Sequence, residues 1–296
     1  MTRTTGFFRL MRPANIVTSI ADVLAGIAIS GLLAESYFEI NYLLPVFLLI
    51  ISTIGLYGGG IVFNDVFDAA LDKVERPERP IPSGAVSIRE AVVLGSLLLV
   101  IGVTAALVYS VVSGTIAFCI AASALIYDKW GKHHSLLGPL NMGLCRGLNL
   151  LLGISIFPAA LNNWWGLAIV PIVYIASITM ISRGEVHGGS RVTLYTACLL
   201  YSLVIGCIFY FSFAKDRELI TVLILVSFGW MIFKPLLEAI HEPVGRNIGK
   251  AVKAGVIALI LMNAAWAAAF GSTYLAMIIL LLLPLSIWLG KKFAVT

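Results

Sequence analysis

Five of the chain's 15 acidic residues fall between positions 65 and 78, in a segment that reads NDVFDAALDKVERPERPIPSG from Asn64 to Gly84. Asn64, Asp68 and Asp72 stand at i, i+4 and i+8, and Asp65 precedes Asp68 by three. On a continuous helix this spacing predicts that all four polar groups share one face. Carboxylates so close repel one another unless a cation joins them. Mg²⁺ suits such a face, because it takes oxygen ligands and uses one or two carboxylates together with substrate phosphates. Arg76 and Arg79 follow and can grip phosphate oxygens bidentately. Pro77, Pro80 and Pro82 stiffen the loop, and Gly84 frees its exit. The chemistry expected is that of a Mg²⁺–diphosphate site. The competing reading is a solvated charged loop, and the Arg-Pro-x-Arg-Pro continuation argues against it.

The elements that position this segment are membrane helices. Of the 296 residues 60% are hydrophobic and 12% charged, and the mean hydropathy is +1.00. A soluble protein of this length carries about twice the charge. A spanning helix needs about 20 apolar residues. Ten stretches qualify, at 14–34, 43–66, 89–111, 114–128, 136–158, 164–182, 192–214, 219–237, 251–270 and 273–290. Ser113-Gly114 is expected to part the third from the fourth, and Gly271-Ser272 the last two. The first stretch is long and lacks a clear cleavage site, so it reads as a span and not a signal peptide.

A net charge of +5 suggests nucleic acid until its placement is considered. The basic residues gather in alternate connections, with only Lys215 and Arg217 on the other side and Arg146 inside a span. By the positive-inside rule both ends of the chain, and the acidic segment, are expected in the cytoplasm. Nucleic acid is therefore not an expected partner, whereas membrane lipids are. The four cysteines show no paired spacing and the four histidines no zinc pattern.

Asn64-Asp65-x-x-Asp68-x-x-x-Asp72 followed by Arg76-Pro77-x-Arg79-Pro80 and Gly84 resembles the first aspartate-rich motif of the UbiA superfamily of intramembrane prenyltransferases. Arg12-Pro13-x-Asn15 is similar to that family's opening. Tyr127, Lys132 and Gly138 resemble its loop after the fourth span, where a lysine assists diphosphate binding. Arg146, Asn149 and Gly153 resemble a polar stripe on its fifth helix. The likeness runs over most of the chain. It implies an all-α, polytopic fold of about nine helices, against ten counted here, around a central cavity. The whole of residues 1–296 would form one transmembrane domain, capped by polar loops at about 67–87 and 183–191.

The resemblance also implies a second motif with two or more aspartates. Here the matching loop reads SRGEVHGGSR, with Glu185 its only acid and Arg183, His187 and Arg191 around it. Either the arginines meet the diphosphate in place of a second metal, or Glu185 holds the metal with help from the first motif. This variant resembles the EboC-type branch, whose gene context suggests a polar, cyclitol-like acceptor.

The resemblance implies transfer of a prenyl group from an allylic prenyl diphosphate to an unidentified acceptor, in what is expected to be a prokaryotic inner membrane. Asp68, Asp72 and Glu185 are the expected catalytic groups, and with Asp65 the expected Mg²⁺ ligands. Asp65 either completes the metal shell or only caps and solvates the turn. Asn64, Arg76, Arg79, Lys132, Arg146, Asn149, Arg183 and Arg191 are expected to bind diphosphate. For Lys132 a purely topological role stands beside that reading. For Arg146 the alternative is a structural pair with Asp128 or a carbonyl. Asp22 reads as structural, and His187 either as a base or as an ordinary loop residue. Phe63, Phe67, Tyr127 and Tyr174 are candidates to steady a prenyl cation, none of them singled out. Two other classes compete: a membrane transporter, and a prenyl-lipid-binding protein without catalysis.

Overall fold

The computed structural model describes residues 2–32, 40–185, 188–215 and 217–293. His187, one of the residues weighed above, lies outside them. Every regular element among the described residues is helical. Helices close all their backbone hydrogen bonds internally, as a bilayer requires. In chain order they are α1 (Arg3–Met11), α2 (Pro13–Ile29), α3 (Leu43–Phe67), α4 (Ala69–Glu75), α5 (Ile88–Tyr109), α6 (Val111–Lys129), α7 (Leu137–Ile154), α8 (Pro158–Trp164), α9 (Ile169–Ser182), α10 (Arg191–Phe213), α11 (Glu218–His241), α12 (Gly245–Ala269) and α13 (Thr273–Phe293). Each of the ten expected stretches coincides with a helix, although the first runs past the described residues.

Nine segments among the described residues are long and apolar enough to cross a membrane, with α1 and α2 read as one and α8 joined to α9. The protein is an integral membrane protein. Helix α7 falls outside that set because Asn141, Arg146 and Asn149 dilute its apolar content. Those three residues mark it as a helix that faces its neighbours. It packs against α2, α6 and α9. The break between the third and fourth stretches is at Ser110, three residues before the expected turn. Ser110 is extended and caps α6 by accepting from the Ser113 amide. Between α12 and α13 the chain turns at Gly271, whose φ of 84° suits a residue without Cβ. The tenth stretch is thus a separate helix, seated against α2 and α12.

Small residues let the central helices touch. A Cβ built on Gly26 of α2 would lie 2.3 Å from the Leu150 carbonyl oxygen, and one on Gly153 of α7 would lie 2.2 Å from that of Val23. Close approach of this kind replaces the hydrophobic drive that lipid cannot supply. Gly153→Val is expected to cost about 1–3 kcal/mol by overpacking. A thermal melt in detergent should show the loss, while Gly206→Ala, whose Cβ would meet nothing within 4 Å, should leave the melt unchanged.

A polar network joins the same helices inside the bundle. Asp22 of α2 accepts from Arg146 Nη1 at 2.7 Å and Asn149 Nδ2 at 3.1 Å on one oxygen, and from Asn263 Nδ2 of α12 at 2.7 Å on the other. Arg146 Nη2 also donates to Thr18 Oγ1 at 2.8 Å and to the Tyr57 hydroxyl of α3. Thr53 Oγ1 donates to Asn149 Oδ1 at 2.8 Å. Arg146 and Asn149 were expected to meet diphosphate. The structure instead gives each of them partners inside the bundle, with only 2% of their surface open. Asp22 is the partner of Arg146, in place of Asp128 or a carbonyl. Removing one member of a buried ion pair costs about 3–5 kcal/mol because the other charge is stranded. Arg146→Met should therefore lower the melting temperature sharply, and Asp22→Leu added to it should recover at least half of the loss.

Candidate functional site

The acidic segment occupies one end of the bundle, together with the start of α2 and the last turns of α13. Helix α3 stops at Phe67 and α4 begins at Ala69, with Asp68 at the joint. This break divides the expected single face in two. On one side Asn64 Nδ2 donates to Asp128 Oδ1 of α6 at 2.9 Å, and Lys132 donates to Asp68 Oδ1. On the other, Arg79 Nη1 lies 2.6 Å from Asp72 Oδ2 and 3.5 Å from Asp65 Oδ1, and Arg12 reaches the same Asp65 oxygen. Asp65, Asp72 and Asp128 are buried, while Asn64, Asp68 and Lys132 are half-buried.

The local sequence explains how these groups are held. Arg12 closes α1 and opens α2 with φ at 45°, and it alone among the described non-glycine residues has a positive φ. A left-handed non-glycine residue costs of order 1–3 kcal/mol and persists only where its surroundings hold it. The ion pair to Asp65 and Pro13 at the first position of α2 do so here. The loop after α4 turns back through backbone bonds from Arg79 to Arg76 and from Ser83 to Arg79, and Ser87 with Glu90 forms a capping box that starts α5.

The second loop runs from Arg183 to Ser190. Glu185, largely exposed as a residue, lines a cavity together with Arg12 and Arg79. Partial desolvation pushes its carboxyl above the usual range, and the charge of Arg76 pulls it back. Glu185 and Arg79 line the same cavity, so the two loops approach each other. Arg183 and Arg191 are turned elsewhere. Arg183 Nη2 donates to the His134 carbonyl at 2.6 Å, and Arg191 Nη2 makes a long contact of 3.4 Å with the carbonyl of His241. Both arginines tie the loop to neighbouring backbone, and neither lines the cavity that Glu185 lines. Tyr174 donates to the Gly255 carbonyl at 2.8 Å and packs on Tyr201 and Phe228, apart from Phe63 and Phe67.

The donor set suits a hard cation that arrives with its own oxygen ligands. Among the described residues no three Asp, Glu, His or Cys side chains converge to hold a metal unaided. The carboxylates are spread along α3 and α4, and one buried oxygen, Asp65 Oδ2, has no hydrogen-bond partner. An all-oxygen set with few protein ligands and an orphaned carboxylate oxygen matches Mg²⁺ shared with phosphate. Two residues absent from the expected site belong to this place: Arg12 and Asp128. The signal for Asp128 was available, since it lies four residues before Lys132 at the end of a span.

The model of the UbiA prenyltransferase family matches residues 23–238. Among individual proteins, the chain is 29% identical over 176 residues to the digeranylgeranylglyceryl phosphate synthase of Saccharolobus solfataricus, a match that covers 59% of each chain. The chain spans about three-fifths of the length of the curated relatives it resembles. In structure it is similar to an apo UbiA homologue from Aeropyrum pernix K1, with a TM-score of 0.69 at 17% identity over 84% of this chain and 96% of the other. A UbiA homologue from Archaeoglobus fulgidus bound to DMAPP and Mg²⁺ gives a TM-score of 0.61 at 15% identity, over 86% and 99%. The fold and the matched family model together assign the sequence: the chain belongs to the UbiA prenyltransferase family.

Proposed function

We propose that this protein transfers a prenyl group from an allylic prenyl diphosphate to an acceptor, with Mg²⁺ as cofactor and diphosphate as leaving group. The observation that carries the reading is the end of α3, where Asn64, Asp65, Asp68 and Asp72 meet Arg12, Arg79 and Lys132. Carboxylates held by cationic side chains can exchange those partners for a metal and a polyanion. The A. fulgidus relative bound to DMAPP and Mg²⁺ supports the same assignment.

In this reading Asp65, Asp68, Asp72 and Glu185 hold Mg²⁺, with Asn64 beside them. The metal, when bound with the donor, neutralises phosphate oxygens and eases departure of the leaving group. Arg76, Arg79 and Lys132 donate to the diphosphate and take up the charge that grows on it as the C1–O bond breaks. The electron pair leaves with the diphosphate. The acceptor atom bonds to C1 and releases its proton. Apolar helix faces keep water from the prenyl cation. Residues 1–296 act as one unit, and the capped end faces the cytoplasm, as the scarcity of basic residues at the opposite end supports. The charges at Asp22 and Arg146 are paired and buried, which disfavours a transporter that needs free coupling charges in its spans.

The test is thermal stabilisation of the purified protein by dimethylallyl, geranyl and geranylgeranyl diphosphates, with and without Mg²⁺. A ligand at 100 times its Kd stabilises by about 2.7 kcal/mol. The expected result is a rise in melting temperature that needs Mg²⁺, peaks at one chain length, disappears in Asp68→Asn and shrinks in Lys132→Ala. No rise with any donor would refute the reading.

A further inference from the structure

The glycines of the second loop are met by another segment, the connection from α11 to α12. Residues 242–244 leave α11, and α12 begins at Gly245. The Gly189 amide donates to the Pro243 carbonyl at 3.1 Å, and the Gly188 amide to the Gly184 carbonyl at 3.0 Å. Gly188 has a φ of 83°, and a Cβ on it would lie 2.9 Å from the same Pro243 oxygen. A Cβ on Gly184 would lie 2.8 Å from the Gly189 Cα, and one on Gly189 would lie 2.8 Å from Ile248 Cδ1. The loop is thus laid backbone against backbone on the start of α12. That start is itself braced. Asn247 Nδ2 donates to the Glu242 carbonyl at 3.1 Å, the Asn247 and Ile248 amides donate to the Val244 carbonyl at 3.0 and 3.1 Å, and Ile248 is fully buried.

The tightest contact falls on the loop's one acid. A Cβ built on Gly245 would lie 2.1 Å from the Glu185 carbonyl oxygen and 3.0 Å from its carbon. Gly245 is not among the glycines with positive φ, so its own backbone would accept alanine. Alanine is also the better helix former there. What excludes a side chain at this position is Glu185. With a Cβ present, the Glu185 backbone would have to move by about 1 Å, twice the tolerance of about 0.5 Å within which a binding constellation works. Gly184, Gly188 and Gly189 have no room for further acids, so no second carboxylate can take the place of Glu185.

We infer that the α11–α12 connection is the seat of the second loop and that Gly245 is a positioning residue, which sets where Glu185 meets the metal and the diphosphate. The inference rests on the prenyl-transfer reading, in which Glu185 is a Mg²⁺ ligand. Gly245 stands outside residues 23–238, so the family match assigns it no part in the site.

The experiment titrates the full chain in a non-ionic detergent with geranyl diphosphate in the presence of Mg²⁺, and reads apparent affinity from thermal stabilisation. Loss of a contact that supports a metal ligand costs about 10–100-fold in affinity. Gly245→Ala is expected to weaken binding by about tenfold or more, as is Glu185→Gln. The double variant should bind no more weakly than Glu185→Gln alone, because Gly245 acts only through that carboxylate. Without ligand, Gly245→Ala should melt close to the wild type. If its melt falls instead, the double variant still decides, since a general loss of stability would persist in the Glu185→Gln background. Wild-type affinity in Gly245→Ala would overturn the inference, and so would losses that add in the double variant. Wild-type affinity in Glu185→Gln would overturn it too, by removing Glu185 from the site while the first motif stands. Failure of the wild type to respond to any prenyl diphosphate would instead sink the transfer reading, and this inference with it.

Discussion

Four aspartates, Asp65, Asp68, Asp72 and Asp128, gather where α3, α4 and α6 end, in a protein that must otherwise bury apolar surface. Asp65 is shared by Arg12 and Arg79, Arg79 also holds Asp72, and Lys132 holds Asp68. Without those cations the carboxylates would repel one another. The left-handed Arg12, the proline-stiffened return of the chain to Arg79 and the turn that carries Lys132 each serve to bring a positive charge to this end of α3. The same arrangement leaves Asp65 Oδ2 and the Nε–H groups of Arg12 and Arg79 without partners. The carboxylates are paired yet incompletely satisfied, which is the condition under which a metal and a polyanion can displace the internal pairs.

Deeper in the bundle the polar groups have the opposite character. Asp22, Arg146, Asn149 and Asn263 satisfy one another across α2, α7 and α12, and nothing there is left to a ligand. Their value is registry. With Gly26 and Gly153 in contact one turn away, they set the spacing of the helices from which the charged rim projects. Thr18, which lines the same cavity as Glu185, receives a hydrogen bond from Arg146, so the network backs the site without entering it.

Much of this was legible in the sequence. Hydropathy alone located ten of the thirteen helices, because in a bilayer an apolar run has few alternatives to a helix. The acidic segment announced itself by spacing, since residues one turn apart on a helix must be neighbours. What spacing cannot encode is the partner across a helix interface. Arg146 and Asp22 lie 124 residues apart, and no periodicity links them. A charge in mid-span signals a pairing but not which one, so Arg146 read as a substrate residue. The break at Asp68 and the positive φ of Arg12 were hidden for another reason. Both are local departures from a regular helix, and neither involves glycine. Arg183 and Arg191 carry the right charge in the right loop, but their hydrogen bonds go to backbone carbonyls, a competition that composition does not reveal.

The carboxylates of the first loop are already occupied by arginine and lysine, so metal should enter only together with a diphosphate. Electron paramagnetic resonance of Mn²⁺, titrated into the protein in detergent, measures this directly through the loss of the free-ion signal. The expected result is no tight Mn²⁺ binding by the protein alone and stoichiometric binding once geranyl diphosphate is present. Tight binding of Mn²⁺ in the absence of diphosphate would contradict this, because it would show a metal site preformed by the protein's own side chains.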